Sequence, residues 1–340
     1  MSSRLAVTYS LAIVGALAVG ACKKKSSGPS PEVTGLAAVP ASAEVVIAVD
    51  VQRVVGAPLV SHAVEVLLQR DSVLADRWQK LHETCKLDVK QFSHVVLAIG
   101  PHAGPQPGTG PVLVVATGKL VETELAACVR GMVGQGSGGL TATPLGDRTL
   151  YQAKDAGRAM YFAFGRPDTL LMSASEELIT EALGTGKKIT DNPDMQKWFG
   201  MVDQRAPIWA AGRVDDRVRQ GMVKTMNGAI TAGPSAMVVS VDLSKGVKVE
   251  AGAVMASPAD AKALESYAKT QLAGIGMAAQ FKGLGKLVDM IEVTSDGSLV
   301  RFIAAVDSEQ VNQLLSVLDG GEGSAQSPPP PSGSAGSAGP

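Results

Sequence analysis

AMVVSVDLSKGVKVEAGAVM, running from Ala236 to Met255, reads as two strands joined at Ser244-Lys245-Gly246. In the second arm Val247, Val249, Ala251 and Ala253 fall on one side, and Lys248 and Glu250 fall on the other. Side chains of a strand alternate between two faces, so this pattern marks a half-solvated strand of an antiparallel sheet. Downstream, Pro258 opens a long helix with Ala261, Leu264, Ala268, Leu272 and Ile275 on one face. Val288 to Thr294 and Leu299 to Val306 then pair across Ser295-Asp296-Gly297-Ser298, and Asp307 or Ser308 caps a last helix through Val311, Leu314, Leu315 and Leu318. Upstream lie a strand, Pro207 to Val214, and a helix, Asp215 to Asn227.

The same order occurs earlier in the chain. Glu44 to Val51 (EVVIAVDV) is almost wholly apolar or β-branched and predicts a strand covered on both faces. Pro58 starts a helix whose stripe is Leu59, Ala63, Val66 and Leu67, resumed by Leu74, Trp78 and Leu81 after a break at Asp71-Ser72. Trp78 on that stripe reads as core. Val95 to Ile99 and Pro111 to Thr117 are further buried-type strands, followed by a helix, Val121 to Val133. Short strands at Leu140 to Thr143, Thr149 to Lys154, Ala159 to Phe164 and Thr169 to Ala174 come next, then a helix capped by Ser175 and another begun at Asn192-Pro193. The expectation is an α+β fold of two similar halves, residues 42–190 and 191–319, each a mainly antiparallel sheet with packed helices. Internal duplication would explain the order, with thin echoes such as Arg53-Val54 against Arg217-Val218 and Ser93 against Ser235.

Both ends differ from this body. Arg4 precedes an apolar run, Leu5 to Val19, that covers roughly 22 Å as a helix against a ~30 Å hydrocarbon core, so residues 1–21 read as a secretory signal rather than a span. Val19-Gly20-Ala21-Cys22 admits either plain cleavage after Ala21 or cleavage with attachment of lipid to Cys22. These residues resemble the bacterial lipobox, which implies a diacylglyceryl and acyl anchor on Cys22. Lys23, Lys24 and Lys25 would then meet lipid headgroups, and Lys at position 23 implies the outer membrane. Residues 22–41 read as a tether rich in Ser, Gly, Pro and Ala, and residues 320–340 as a disordered Pro/Ser/Gly tail.

Cys85 and Cys128 remain as an even pair in an oxidising compartment, either bridged or left as two buried thiols; bridging is the reading adopted. The layout resembles a class of hypothetical lipoproteins of myxobacteria and their relatives. The likeness rests on the lipobox, on Pro40-Ala41-Ser42-Ala43-Glu44 before a strand closing on Val49-Asp50-Val51, and on a cysteine after the first helix, Cys85, with a second in the helix after the third strand, Cys128. That class has no established activity to carry over.

The residues offer no catalytic set. Gly134-Gln135-Gly136-Ser137-Gly138-Gly139 matches a dinucleotide fingerprint by letter but follows a helix and precedes a strand, the reverse of what pyrophosphate binding needs. Gly184-Thr185-Gly186-Lys187-Lys188 lacks the earlier glycine and the hydroxyl of a phosphate loop. His62, His82, His94 and His102 contain no His-x-x-x-His pair; His82 and Cys85 are three apart, but bridging occupies Cys85. Net charge is −1 with both signs interspersed, which argues against nucleic acid as partner. The expectation is therefore no enzyme, no cofactor and no metal. It is an envelope lipoprotein, a binding or scaffolding module with a membrane and an envelope protein as partners, or alternatively a periplasmic carrier or sensor of a small hydrophobic or lipid ligand. Replacing Cys22 with Ser is expected to leave the body folded and move the protein from the membrane fraction to the soluble one. Sedimentation of the variant with membranes after a high-salt wash would contradict the anchor.

Overall fold

The computed structural model describes residues 33–101, 110–133, 138–155, 157–280 and 288–311. The expected leader, Cys22, His102, most of the Gly134–Gly139 loop, the end of the last helix and the tail lie outside them. In chain order the elements are β1 (Val45–Asp50), α1 (Val51–Val55), α2 (Pro58–Arg70), α3 (Ser72–Cys85), β2 (Phe92–Ile99), β3 (Val112–Gly118), α4 (Glu122–Val133), β4 (Gly139–Leu145), β5 (Arg148–Asp155), β6 (Arg158–Arg166), β7 (Thr169–Ser173), α5 (Glu176–Leu183), α6 (Pro193–Phe199), β8 (Ile208–Arg213), α7 (Asp216–Thr225), β9 (Ala236–Asp242), β10 (Val247–Val254), α8 (Pro258–Gln280), β11 (Ile291–Asp296) and β12 (Leu299–Val306). Local chemistry sets the boundaries. Asp71 accepts the N–H groups of Val73 and Leu74, which ends α2 and starts α3. The hydroxyl of Ser175 accepts from Leu178 N–H, and the side chain of Asn192 accepts from Asp194 and Met195 N–H. Ser257 and Asp260 cap the start of α8 reciprocally.

The described strands form one mixed-order, antiparallel sheet: β11-β12-β10-β9-β8-β1-β2-β3-β7-β6-β5-β4. Strands of the two expected halves thus share a sheet, joined by the pairing of β1 with β8 through Val45↔Gly212, Ile47↔Ala210 and Val49↔Ile208. Read outward from this seam, one arm runs β1-β2-β3-β7-β6 and the other β8-β9-β10-β12-β11. The first arm then adds β5 and β4 beyond β6.

One face of the sheet carries the main core. Val46, Val96, Ala98, Leu113, Val115, Trp209, Ala211 and Val238 point into it, with Leu113 and Val46 wholly buried. α5 and α6 cover them with Leu178, Ile179, Met195, Trp198 and Phe199; the ring of Phe199 meets Trp209 edge-on at 5.5 Å between centroids. Lys188 closes α5 by donating to the carbonyls of Glu181 and Ala182, and burial lowers its pKa. Two smaller clusters sit on the other face at the ends of the sheet. α4 with Leu120, Phe162, Phe164 and Leu170 forms one, where Tyr151 stacks on Phe162 at 4.7 Å and donates to Glu122. α8 with Ala261, Leu264, Val293 and Val300 forms the other.

Three expectations are corrected. The tether does not extend to residue 41, because Val33, Ala38 and Val39 are buried in the main core. A 3-10 turn at Gly35–Ala38 brings them together without helical or strand periodicity, so the apolar residues there read as isolated. Gly165 allows this approach, since a β-carbon on it would lie 2.4 Å from the Val33 carbonyl. Trp78 is not core: it is 40% exposed, and Leu67 is 53% exposed. No residue of α2 is fully buried, and the helix packs mainly against α1 and α3. Third, among the described residues β1 is covered on its core face only.

Glu265 on α8 is a buried carboxylate held by three donors. Lys269 donates to it at 2.6 Å, Ser295 at 2.6 Å and Lys262 at 2.9 Å, and these bonds, that of Lys269 foremost, bring its pKa down to about 2. Because the folded pKa lies below the unfolded one, the stabilisation is complete above the unfolded pKa of ~4.3 and fades as pH falls towards 2. A Glu265→Gln variant is therefore expected to melt at a lower temperature than the parent at pH 7, with the gap closing between pH 4.3 and 2. A gap independent of pH in melting curves would contradict this.

Candidate functional site

In antiparallel pairs, residues directly opposite share a face, so the register assigns every side chain of the five central strands. On the face opposite the main core stand Val45, Ile47 and Val49 of β1 with Val95, Leu97 and Ile99 of β2. Beside them stand Val112, Val114 and Ala116 of β3. Across the seam stand Ile208, Ala210 and Gly212 of β8, then Met237, Val239 and Val241 of β9. Every one of these positions is apolar.

Their burial differs sharply from that of their neighbours. Along β2, Val96 and Ala98 are 6% and 1% exposed on the core face, whereas Val95, Leu97 and Ile99 are only partly buried. Val112 is 43% and Met237 37% exposed. Only Ala116 and Gly212 of the set are fully buried. The reason lies in the helices: α6 packs on β8 and β9 from the core side, α1 touches the Asp50 end of β1 and β2, and α4 and α8 stand over the outer strands. The described residues leave an aliphatic floor between two helical walls.

A solvated face of an antiparallel sheet ordinarily alternates in polar residues. Contiguous apolar surface larger than a few hundred Å² on a soluble protein marks a place of interaction. Five strands at about 4.8 Å spacing and five to six residues in length give a floor of roughly 19 by 20 Å. Such a surface can hold aliphatic groups by burial alone and offers no side chain for acid, base or nucleophilic chemistry.

The residues singled out by sequence fall elsewhere. Cys85 and Cys128 meet at disulfide distance with Cα atoms 5.2 Å apart, tying α3 to α4, and they line a cavity of about 570 Å³ with Lys86, Lys119 and Glu124. His82 and His94 are exposed and His62 is partly buried. Among the described residues no three His, Cys, Asp or Glu side chains gather as metal ligands, and no helix is long and apolar enough to cross a membrane. Gly184 ends α5, its N–H donating to Thr180 and Glu181 carbonyls. Sequence reasoning missed the aliphatic floor, although its signal was present: three neighbouring strands read as covered on both faces, while the described chain supplies helices for one. The two faces are expected to respond differently to truncation. Leu113→Ala on the core face should cost about 2–5 kcal/mol in urea unfolding, and Leu97→Ala on the floor under ~1 kcal/mol; equal losses would show that the floor is packed.

No known protein family matches the chain, and no curated protein matches it. Among solved structures it is similar to a crystal structure of TP0453, with a TM-score of 0.44 and 11% sequence identity over 86% of this chain and 98% of that one. A likeness of that degree carries no argument about the floor.

Proposed function

We propose that this chain is a lipid-anchored protein of the cell envelope, held through Cys22 to the periplasmic face of the outer membrane, that acts by non-enzymatic binding on its aliphatic floor. The observation that carries the reading is the apolar set on five adjacent strands, open on one side of a sheet whose other side is packed. The lipobox-like Val19-Gly20-Ala21-Cys22 supports the location. An envelope protein presenting an apolar segment is the partner first expected from such a module.

The chemistry of the floor favours a second, narrower reading, a carrier or sensor of a small hydrophobic or lipid ligand. Protein interfaces carry about one hydrogen bond per 100–200 Å². The floor's side chains supply none, and an acyl chain requires none. We also read the two arms of the sheet as copies of one unit, on the strength of their common strand order and the shared echo of Arg-Val after the first strand. Relatives whose arms align better with each other than these do are expected; relatives whose arms differ in strand order would contradict the duplication.

The binding reading is tested on the full chain carrying Cys22→Ser, titrated with a fluorescent fatty acid. Saturable binding is expected, weakened about tenfold or more by Leu97→Lys at the centre of the floor. Binding that does not saturate, or that Leu97→Lys leaves unchanged, would remove the lipid reading; apolar peptides that bind and compete at the floor where fatty acid fails would restore the protein-partner one.

A further inference from the structure

The two arms of the sheet end differently. In the first, the outer strand β6 is paired by β5, with β4 beyond it and α4 packed against both. In the second, β11 holds the place of β6 and ends the sheet among the described residues. α8 follows β10 as α4 follows β3, and it packs against β11. Beside it a groove of about 720 Å³ runs along the strand, lined on α8 by Leu272, Ala273, Gly276 and Met277 with Lys269 at one end, and on the strand side by residues from Val288 to Thr294, Ile291 and Val293 among them. Met277 is 65% exposed at its mouth.

A sheet edge presents unpaired N–H and C=O groups, and proteins blunt it with proline, charged side chains (lysine above all), a bulge or a short strand. On β11 the charges are the carboxylates Glu292 and Asp296, which repel an acidic strand and leave the edge open to a basic one. The opposite edge, β4, carries Pro144. β11, with the sequence IEVTSD, has neither proline nor lysine, and its pairing with β12 runs without a register shift. Its side chains alternate: Ile291 and Val293 turn to the α8 side, while Glu292, Thr294 and Asp296 are exposed on the other. Asp289 just ahead of the strand is exposed too. An added strand would set its own alternate side chains against the apolar wall of α8 and against these carboxylates, and opposite charges across paired strands are favourable.

We propose that the β11–α8 groove is a strand-addition site for an extended segment of another envelope protein in which aliphatic residues alternate with Lys or Arg. The segment would take the place that β5 holds in the first arm, its backbone pairing with β11 and its aliphatic side chains lying on Leu272 and Met277. This site is separate from the aliphatic floor and stands whether or not the floor takes a lipid.

The test uses the full chain with Cys22→Ser and three labelled octapeptides: alternating Val and Lys, alternating Val and Glu, and the Val–Lys peptide with a central proline. Fluorescence anisotropy is expected to show saturable binding of the Val–Lys peptide alone. Hydrogen exchange should slow about tenfold or more at alternate amides within Ile291–Asp296 on its addition. Glu292→Lys with Asp296→Lys, both at exposed positions, should weaken that binding about tenfold and admit the Val–Glu peptide. Met277→Glu should weaken it independently. Equal binding of all three peptides, protection at another strand, or affinity indifferent to both sets of substitutions would overturn the proposal.

Discussion

The pairing of β1 with β8 is the constraint on which the rest of the structure depends. Without it the described strands would fall into two antiparallel sheets, one of seven strands and one of five, each with its own helices. With it, Ile47 and Ala210 meet at the centre of a continuous sheet, and a single core forms beneath the seam. Trp209 from one side of the seam, Val46 from the other, and the α6 residues Trp198 and Phe199 below bind the two arms through side-chain packing as well as backbone bonds. Val33 and Val39 join the same core, so residues 33–39 are fixed to the body.

That seam also creates the functional question. A strand in the middle of a wide sheet has two faces, and among the described residues the helices at the centre of this one cover only the first. α4 and α8 are occupied by the outer strands, α1 packs at the Asp50 end of β1 and β2, and α2 packs mainly on α1 and α3. The aliphatic side chains on the second face therefore bear a hydrophobic cost that their sequence does nothing to relieve. Such an arrangement is expected where burial is completed by something the protein binds, because burial of apolar area supplies most of the free energy of such an association.

Much of this was legible in the sequence. The alternation in Val247 to Ala253 gave the antiparallel sheet, and the caps at Asp71, Ser175 and Asn192 fixed helix boundaries because each is a local side-chain to backbone bond. Cys85 and Cys128 were legible as a pair from their number, and their helices do bring them together. Less legible was anything decided by packing between distant elements. The apolar stripe of α2 predicts a buried helix, and nothing in those residues reveals that it packs mainly on α1 and α3. Val33 to Val39 lack periodicity, so their burial depends on Gly165 and Thr169, more than a hundred positions away. The floor itself was half legible: EVVIAVDV demands cover on both faces, but only the positions of α4 and α8 show which face goes without.

The central claim, that the described residues leave the outer face of β1, β2, β3, β8 and β9 open, is a statement about which methyl groups meet water. It is tested most directly by methyl NMR of the full chain carrying Cys22→Ser, in the presence of a neutral paramagnetic agent confined to solvent. The methyls of Ile47, Leu97 and Val239 are predicted to relax strongly, while those of Val46 and Val238, one residue away on β1 and β9, and of Leu113 on β3 stay protected. Equal protection of both sets would contradict the account.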